Sequence, residues 1–178
     1  PVVTQVFGHA ATLAGVPLAD YLQDGELLAR CQILAQQRYG HDAVFGLMDV
    51  GVETEALGSV LNYPPGQYPG VESHALGPDG DLSALEPPDP KKDGRMPQLL
   101  RAAAILREEL GDRVPVVGCI LGPLTLAMQL MGWQECAFFA IDHPDEFEKL
   151  LDFTCQVALD FGLAQLAAGA HLPLVFDP

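Results

Sequence analysis

Five residues that could take part in chemistry stand at or close to the ends of apolar runs in this 178-residue chain. A carboxylate in such a position can orient N–H donors, act as a base or bind a metal ion. We therefore take Asp49 as the candidate catalytic residue. The candidate substrate-binding residues are His9, Cys119, Gly122 and Asp177.

The apolar runs that precede these residues predict four β-strands separated by helices. The runs are Val2–Phe7, Ala43–Met48, Val114–Leu121 and Leu172–Phe176. They lack polar–apolar alternation, which indicates strands that are buried on both faces, and hence an α/β fold with a parallel sheet covered by helices. No glycine-rich phosphate-binding motif follows any of them. The pattern favours a (β/α)8 TIM barrel, whose active site lies at the carboxyl ends of its strands.

Each candidate residue also has an ordinary structural interpretation. Asp49 and Asp177 could cap a following helix. His9 could be a loop histidine whose hydrogen bonds are satisfied, and Cys119 could be a packing residue within its strand. The sequence alone leaves these alternatives open.

The charged residues near the candidates predict no further site. Glu53 and Glu55 are two positions apart on a predicted helix and do not face each other, so we expect a solvated face. Arg95 belongs to a mixed-charge segment from residue 89 to 95 that we expect to be exposed. The four cysteines form no close ligand pair, which predicts no metal site, reduced thiols and a cytoplasmic protein.

We treat residues 1–178 as one partial barrel with a long irregular insertion at about 62–94, which is rich in proline. A full barrel needs roughly 250 residues, so four strands correspond to about the N-terminal half. Half a barrel leaves strand edges open. We therefore expect a homo-oligomer, or a chain that is part of a longer one.

The charge balance excludes some partners. With 9 basic and 24 acidic residues the net charge is −15, which would repel nucleic acid and anionic membrane surfaces. The uncharged stretch from Val114 to Trp133 is long enough to span a bilayer, but its two prolines and three glycines favour a strand, a turn and a helix. We expect no nucleic-acid partner and no membrane span.

Several segments, in their order along the chain, resemble the uroporphyrinogen decarboxylase superfamily. They are Asp42-Ala43-Val44, Asp49, the VETEALG stretch 52–58, the VPVVG stretch 114–118, the GPLTLA stretch 122–127 and Ala168-Gly169-Ala170. The resemblance implies a (β/α)8 barrel and an enzymatic activity for the complete protein. Asp49 matches the family's aspartate, which in the decarboxylases binds pyrrole N–H groups.

The chain could belong to either of two branches of the superfamily. The GPLTLA and EALG segments resemble the corrinoid-dependent methyltransferases more closely. These enzymes, of the methylcobamide:coenzyme M type, move a methyl group from a methylated corrinoid protein to a thiol or related small-molecule acceptor. The resemblance implies a zinc ion held in the second half of the barrel, so we expect no cofactor bound by this half. The alternatives are a uroporphyrinogen decarboxylase, whose arginine motif is missing at Gly8–Thr12, and a non-catalytic corrinoid- or partner-binding module.

Overall fold

The fold was analysed in a computed structural model that describes residues 1–177. It combines a parallel sheet, a separate antiparallel hairpin and eight helices within the described residues. The strands are β1 (Val44–Gly46), β2 (Val60–Asn62), β3 (Gly70–Ser73), β4 (Val116–Leu121) and β5 (Leu172–Phe176). The helices are α1 (His9–Ala14), α2 (Leu18–Tyr21), α3 (Gly25–Tyr39), α4 (Val52–Ala56), α5 (Met96–Leu110), α6 (Pro123–Met131), α7 (Trp133–Asp142) and α8 (Pro144–Ala168).

The parallel sheet has three strands in the order β1-β4-β5. The prediction of a first strand at Val2–Phe7 is wrong, because the structure has no strand there. Val2 and Val3 are 64% and 55% exposed, and Val2 exchanges hydrogen bonds with Asp42. Only the end of the run, Val6 and Phe7, packs against the core clusters. β-branched residues favour a strand only when a neighbouring strand and a covering layer are available.

Local signals set the ends of the longest helices. The side chain of Asp24 accepts hydrogen bonds from the backbone of the first turn of α3, and Gly40 ends that helix with a φ of +67°. Pro144 begins α8, and Gly169 follows its last residue. These residues determine where α3 and α8 begin and end.

The two faces of the parallel sheet pack differently. One face, which includes Val44, Val116 and Ile120, belongs to the main core with α3, α5 and α8. The other face forms a small separate cluster of Ala43, Phe45, Leu47, Val117 and Cys119, against which Phe7, Leu174 and Phe176 pack. In this second cluster, Leu47 and Phe176 lie at or just after the carboxyl ends of β1 and β5.

The irregular stretch at 62–94 contains one strand of the hairpin. β3 pairs antiparallel with β2, matching Asn62 with Gly70 and Val60 with Ser73. A short 3₁₀ turn at Leu82–Ala84 follows, with Asp81 as its cap. The stretch then ends at the first turn of α5.

The uncharged stretch from Val114 to Trp133 forms β4, a turn at Gly122 and then α6, as predicted. A different helix, α8, is long and apolar enough to cross a membrane by length and composition alone, a test that core helices also pass. In this structure α8 packs against α5, α6 and β4.

Candidate functional site

A cavity of about 300 Å³ lies at the carboxyl ends of β1 and β5. Its lining residues are Phe7, Leu47, Met48, Asp49, Val50, Tyr68 and Phe176. The ring of Phe7 meets that of Phe45 edge-on, with the ring centroids 5.7 Å apart. The surface of the cavity is thus apolar and aromatic; Asp49 is one of its lining residues, but the Asp49 side chain is only 2% exposed and its carboxylate is directed at protein groups.

Asp49, the predicted catalytic residue, is 4% exposed and its carboxylate is held from two sides. The Gly51 backbone N–H donates to Oδ1 at 2.8 Å, and Arg95 donates through Nη2 to Oδ1 at 3.1 Å. Arg95 also donates through Nη1 to Oδ2. A carboxylate has about four acceptor positions. Three of those on Asp49 are therefore filled by the protein.

Arg95 is buried, so its predicted exposure was wrong. Its Nε donates to Glu55 at 2.6 Å, its Nη1 also donates to the Leu22 carbonyl at 2.9 Å, and its guanidinium lies 5.4 Å from the ring centroid of Tyr63. Burial lowers the pKa of Arg95, but the hydrogen bonds and charges of Asp49 and Glu55 outweigh burial, and the net shift is upward. Arg95 therefore remains a cation.

Glu53 is also buried, at 3% exposure, which overturns the expected solvated face. It accepts a hydrogen bond at 2.8 Å from the backbone of Leu121, at the end of β4. Burial raises the pKa of Glu53 to about 7, although the Leu121 hydrogen bond opposes the shift. The one sequence signal for these burials is the crowding of Asp49, Glu53 and Glu55 after a buried strand, which favours a nearby cation but does not identify Arg95.

His9 does not stand at a strand end, because the strand predicted before it is absent. It is exposed at the start of α1, and its Nε2 lies 2.9 Å from the Tyr39 hydroxyl, with the two rings stacked. It is not among the residues that line the cavity. Its neighbour Gly8 is closer to the cavity, since the Gly8 N–H donates to the hydroxyl of Tyr68, a residue of the cavity wall.

Cys119 is 2% exposed within β4 and belongs to the small packed cluster. The side chain of Gln165 bonds both its backbone N–H and its carbonyl, at 2.9 and 2.8 Å. Burial raises the pKa of the Cys119 thiol to about 12. These contacts favour the packing interpretation of this residue.

Gly122 and Asp177 are brought together next to Phe176. The Gly122 N–H donates to the Phe176 carbonyl at 2.8 Å, and Asp177 Oδ1 accepts from both the backbone and the hydroxyl of Thr125. A Cβ on Gly122 would stand 2.3 Å from the Asp177 carboxyl carbon. Asp177 therefore caps the start of α6, and only glycine fits beside it.

The described residues do not fit a zinc ion. Within residues 1–177 no group of three or more His, Cys, Asp or Glu side chains is arranged to hold a metal. The carboxylate of Asp49 is already paired, and the Cys119 thiol is buried with a raised pKa, whereas zinc binds thiolates. No catalytic step through a metal is derived from these residues.

Comparison with known proteins gives the same family along nearly the whole chain. The sequence profile of the family described as uroporphyrinogen decarboxylase (URO-D) matches residues 2–178. The chain is 31% identical over 154 residues to the Methylcobamide:CoM methyltransferase MtaA of Methanosarcina barkeri, covering 86% of this chain and 45% of that protein. It is 29% identical over 176 residues to the uroporphyrinogen decarboxylase of Alkalilimnicola ehrlichii, covering 96% and 45%.

A solved structure supports the same relationship. The methyltransferase from Methanosarcina mazei superposes with a TM-score of 0.88 at 28% identity, over 97% of this chain and 51% of that one. The chain thus spans about half the length of the relatives it matches. A methyltransferase and a decarboxylase are similar to it at nearly the same identity.

Proposed function

The chain belongs to the uroporphyrinogen decarboxylase family, and from this premise we propose that it is part of a corrinoid-dependent methyltransferase. The complete protein would move a methyl group from a methylated corrinoid to a thiol or a related acceptor. In that reaction the carbon–cobalt bond breaks, a carbon–sulfur bond forms, cobalt keeps the electron pair and the thiol proton is released. The runner-up activity is uroporphyrinogen decarboxylation.

The observation that carries this proposal is the occupied carboxylate of Asp49. Each pyrrole of a porphyrinogen presents an N–H donor, so an aspartate that binds them needs several open acceptor positions. Arg95 and the Gly51 N–H fill three of about four positions on Asp49. This arrangement suits a substrate that offers one donor better than it suits a porphyrinogen ring.

The character of the cavity supports the same choice. Uroporphyrinogen is a polycarboxylate, which proteins bind with arginine or lysine side chains. The residues that line the cavity include no arginine or lysine. Arg95, which lies next to it, is already paired with Asp49 and Glu55. An uncharged, apolar substrate group matches this lining.

We propose further that the parallel strands β1, β4 and β5 are part of a (β/α)8 barrel. The cavity at their carboxyl ends is where barrel enzymes hold their substrates. Within it, Asp49 would contact the substrate, and Gly122 and Asp177 would adjoin the same wall through Phe176. The zinc implied by the family resemblance would belong to the rest of the barrel.

The proposal includes a corrinoid protein as partner and a cytoplasmic location. All four cysteines are free, and three of them are buried, which agrees with a reducing compartment. The exposed side chains of β5, Leu172 and Val175, agree with further packing at this edge of the sheet. We expect that packing to come from a longer chain or from a second copy.

The test uses the complete natural protein and two reactions in parallel. Demethylation of methylcobalamin by 2-mercaptoethanesulfonate is followed by the visible spectrum, and decarboxylation of uroporphyrinogen is followed by product chromatography. We expect methyl transfer, with a loss in Asp49→Asn and none in Asp152→Asn, an exposed control on α8. Decarboxylation without methyl transfer would overturn the proposal, and full activity of Asp49→Asn would exclude a role for that carboxylate.

A further inference from the structure

We propose that Arg95 is a positioning residue that fixes the carboxylate of Asp49 in the wall of the cavity. The inference rests on the proposed function, because it assumes that Asp49 contacts the substrate. Arg95 does not itself line the cavity, so it would act only through Asp49. The role is distinct from the substrate-binding arginines of the decarboxylases, since this guanidinium binds protein groups.

The guanidinium of Arg95 has few donors left unpaired. An arginine has five N–H donors in a rigid planar fork. Nε donates to Glu55, Nη1 donates to the Leu22 carbonyl and to Asp49 Oδ2, and Nη2 donates to Asp49 Oδ1. Four of the five donors are therefore engaged within the protein, and two of them define the plane of the Asp49 carboxylate.

The groups that hold Arg95 come from separate parts of the fold. Leu22 follows α2, Glu55 lies on α4, and Arg95 itself is the residue before α5. Tyr63 covers the guanidinium and donates its hydroxyl to Glu55 at 3.1 Å. Because these groups hold Arg95 from several directions, its fork is a fixed reference for the carboxylate it contacts.

The carboxylate of Asp49 is also held by the backbone of Gly51. The Gly51 N–H donates to Oδ1, so Oδ1 is held by Arg95 and by the backbone together. A Cβ on Gly51 would stand 3.1 Å from that same oxygen, so the absence of a side chain lets the Gly51 backbone approach the carboxylate closely. Of the roughly four acceptor positions of the carboxylate, these contacts leave one unfilled, which limits Asp49 to one further donor.

The experiment compares Arg95→Lys with Arg101→Lys in the complete natural protein. Lysine keeps the positive charge of Arg95 but cannot make the two-point contact with a carboxylate. Arg101 lies on α5, the helix that Arg95 precedes, is exposed and pairs with Glu26 at the surface, so it is a matched control. Two measurements are made. The first is the kinetics of methyl transfer from methylcobalamin, which gives kcat and KM, and the second is the amide proton shift of Gly51, which reports its hydrogen bond to Asp49.

For Arg95→Lys we expect kcat to fall by about tenfold to a hundredfold with little change in KM, because a small misplacement of a positioned group costs about that much. The Gly51 amide proton should move upfield, and Arg101→Lys should change neither quantity. If Arg95→Lys does not fold, Glu55→Gln, which removes one charged anchor, should give a smaller change in the same direction in both quantities.

A folded Arg95→Lys protein with native kcat and a native Gly51 shift would overturn the inference, even if its melting temperature were lower. Such a result would assign Arg95 a role in stability alone. If the native protein transfers no methyl group, the proposed function fails by itself. The Gly51 shift then decides whether Arg95 positions Asp49.

Discussion

Replacing the buried Glu53 by glutamine should change how the stability of the protein depends on pH. Burial raises the pKa of Glu53 to about 7 from an ordinary value of 4.5. Glutamine has nearly the same shape as the protonated acid and can still accept the Leu121 N–H bond through its amide oxygen. The substitution therefore removes the titration and retains the packing.

The sign of the effect follows from proton binding in the two states. Below pH 4.5 both the native and the unfolded chain hold the proton on Glu53, and ionisation of this residue costs no stability. Between pH 4.5 and about 7 the unfolded chain releases the proton while the native protein keeps it, so the free energy of unfolding falls as pH rises. At about 1.4 kcal/mol per pKa unit, the loss is complete above pH 7 and amounts to about 3 kcal/mol.

The assay is urea unfolding followed by circular dichroism at pH 5, 6, 7 and 8, which avoids the isoelectric region near 4.4. The free energy of unfolding of Glu53→Gln, minus that of the native protein, should rise by about 2 to 3 kcal/mol from pH 5 to pH 8. Glu148→Gln, on the exposed face of α8, should give a flat difference. A flat or falling difference for Glu53→Gln would refute the reasoning.

Three further substitutions test contacts that hold the elements around the site. Gly122→Ala places a methyl group 2.3 Å from the Asp177 carboxyl carbon and should cost about 1–3 kcal/mol in thermal unfolding; an unchanged melting temperature would contradict this clash. Tyr21→Phe leaves the buried amide of Gln32 without its 2.9 Å acceptor and should cost about 1–3 kcal/mol in urea unfolding; a neutral result would indicate that water or another group replaces the hydroxyl. Asp24→Ala removes the cap of α3 and should cost about 1 kcal/mol, whereas Asp24→Asn should keep most of the stability; equal losses in both would contradict a capping role.

Elements with strong local signals were predictable from the sequence. Asp24 and Gly40 bound α3 as a capping residue and a left-handed glycine should. The prolines and glycines between Val114 and Trp133 separated β4 from α6. The position of Asp49 after β1 was predicted by the same reasoning, and the structure places it in the cavity wall.

The contacts that define the site were not predictable, because they join residues that are distant in sequence. Arg95 and Asp49 are 46 positions apart, and nothing in the mixed charges around Arg95 indicates that this one is buried. Glu53 bonds Leu121 across 68 positions. Helical spacing alone places Glu53 and Glu55 on different sides of α4 but does not say which side faces the core. The prediction of a strand at Val2–Phe7 failed for a related reason, because a strand forms only where a neighbouring strand can pair with it.

The contact between Asp177 and Thr125 has a consequence for the order of events during synthesis. The first turn of a helix has backbone N–H groups with no partner inside the helix. In α6 one of these groups, the N–H of Thr125, donates to Asp177, which is synthesised 52 residues after Thr125. A ribosome-bound chain that has released α6 but not β5 therefore carries this helix start without its carboxylate cap. The hydrogen bonds of Thr125 to Asp177 form only after β5 has been synthesised and docked, so the start of α6 gains this stabilisation late.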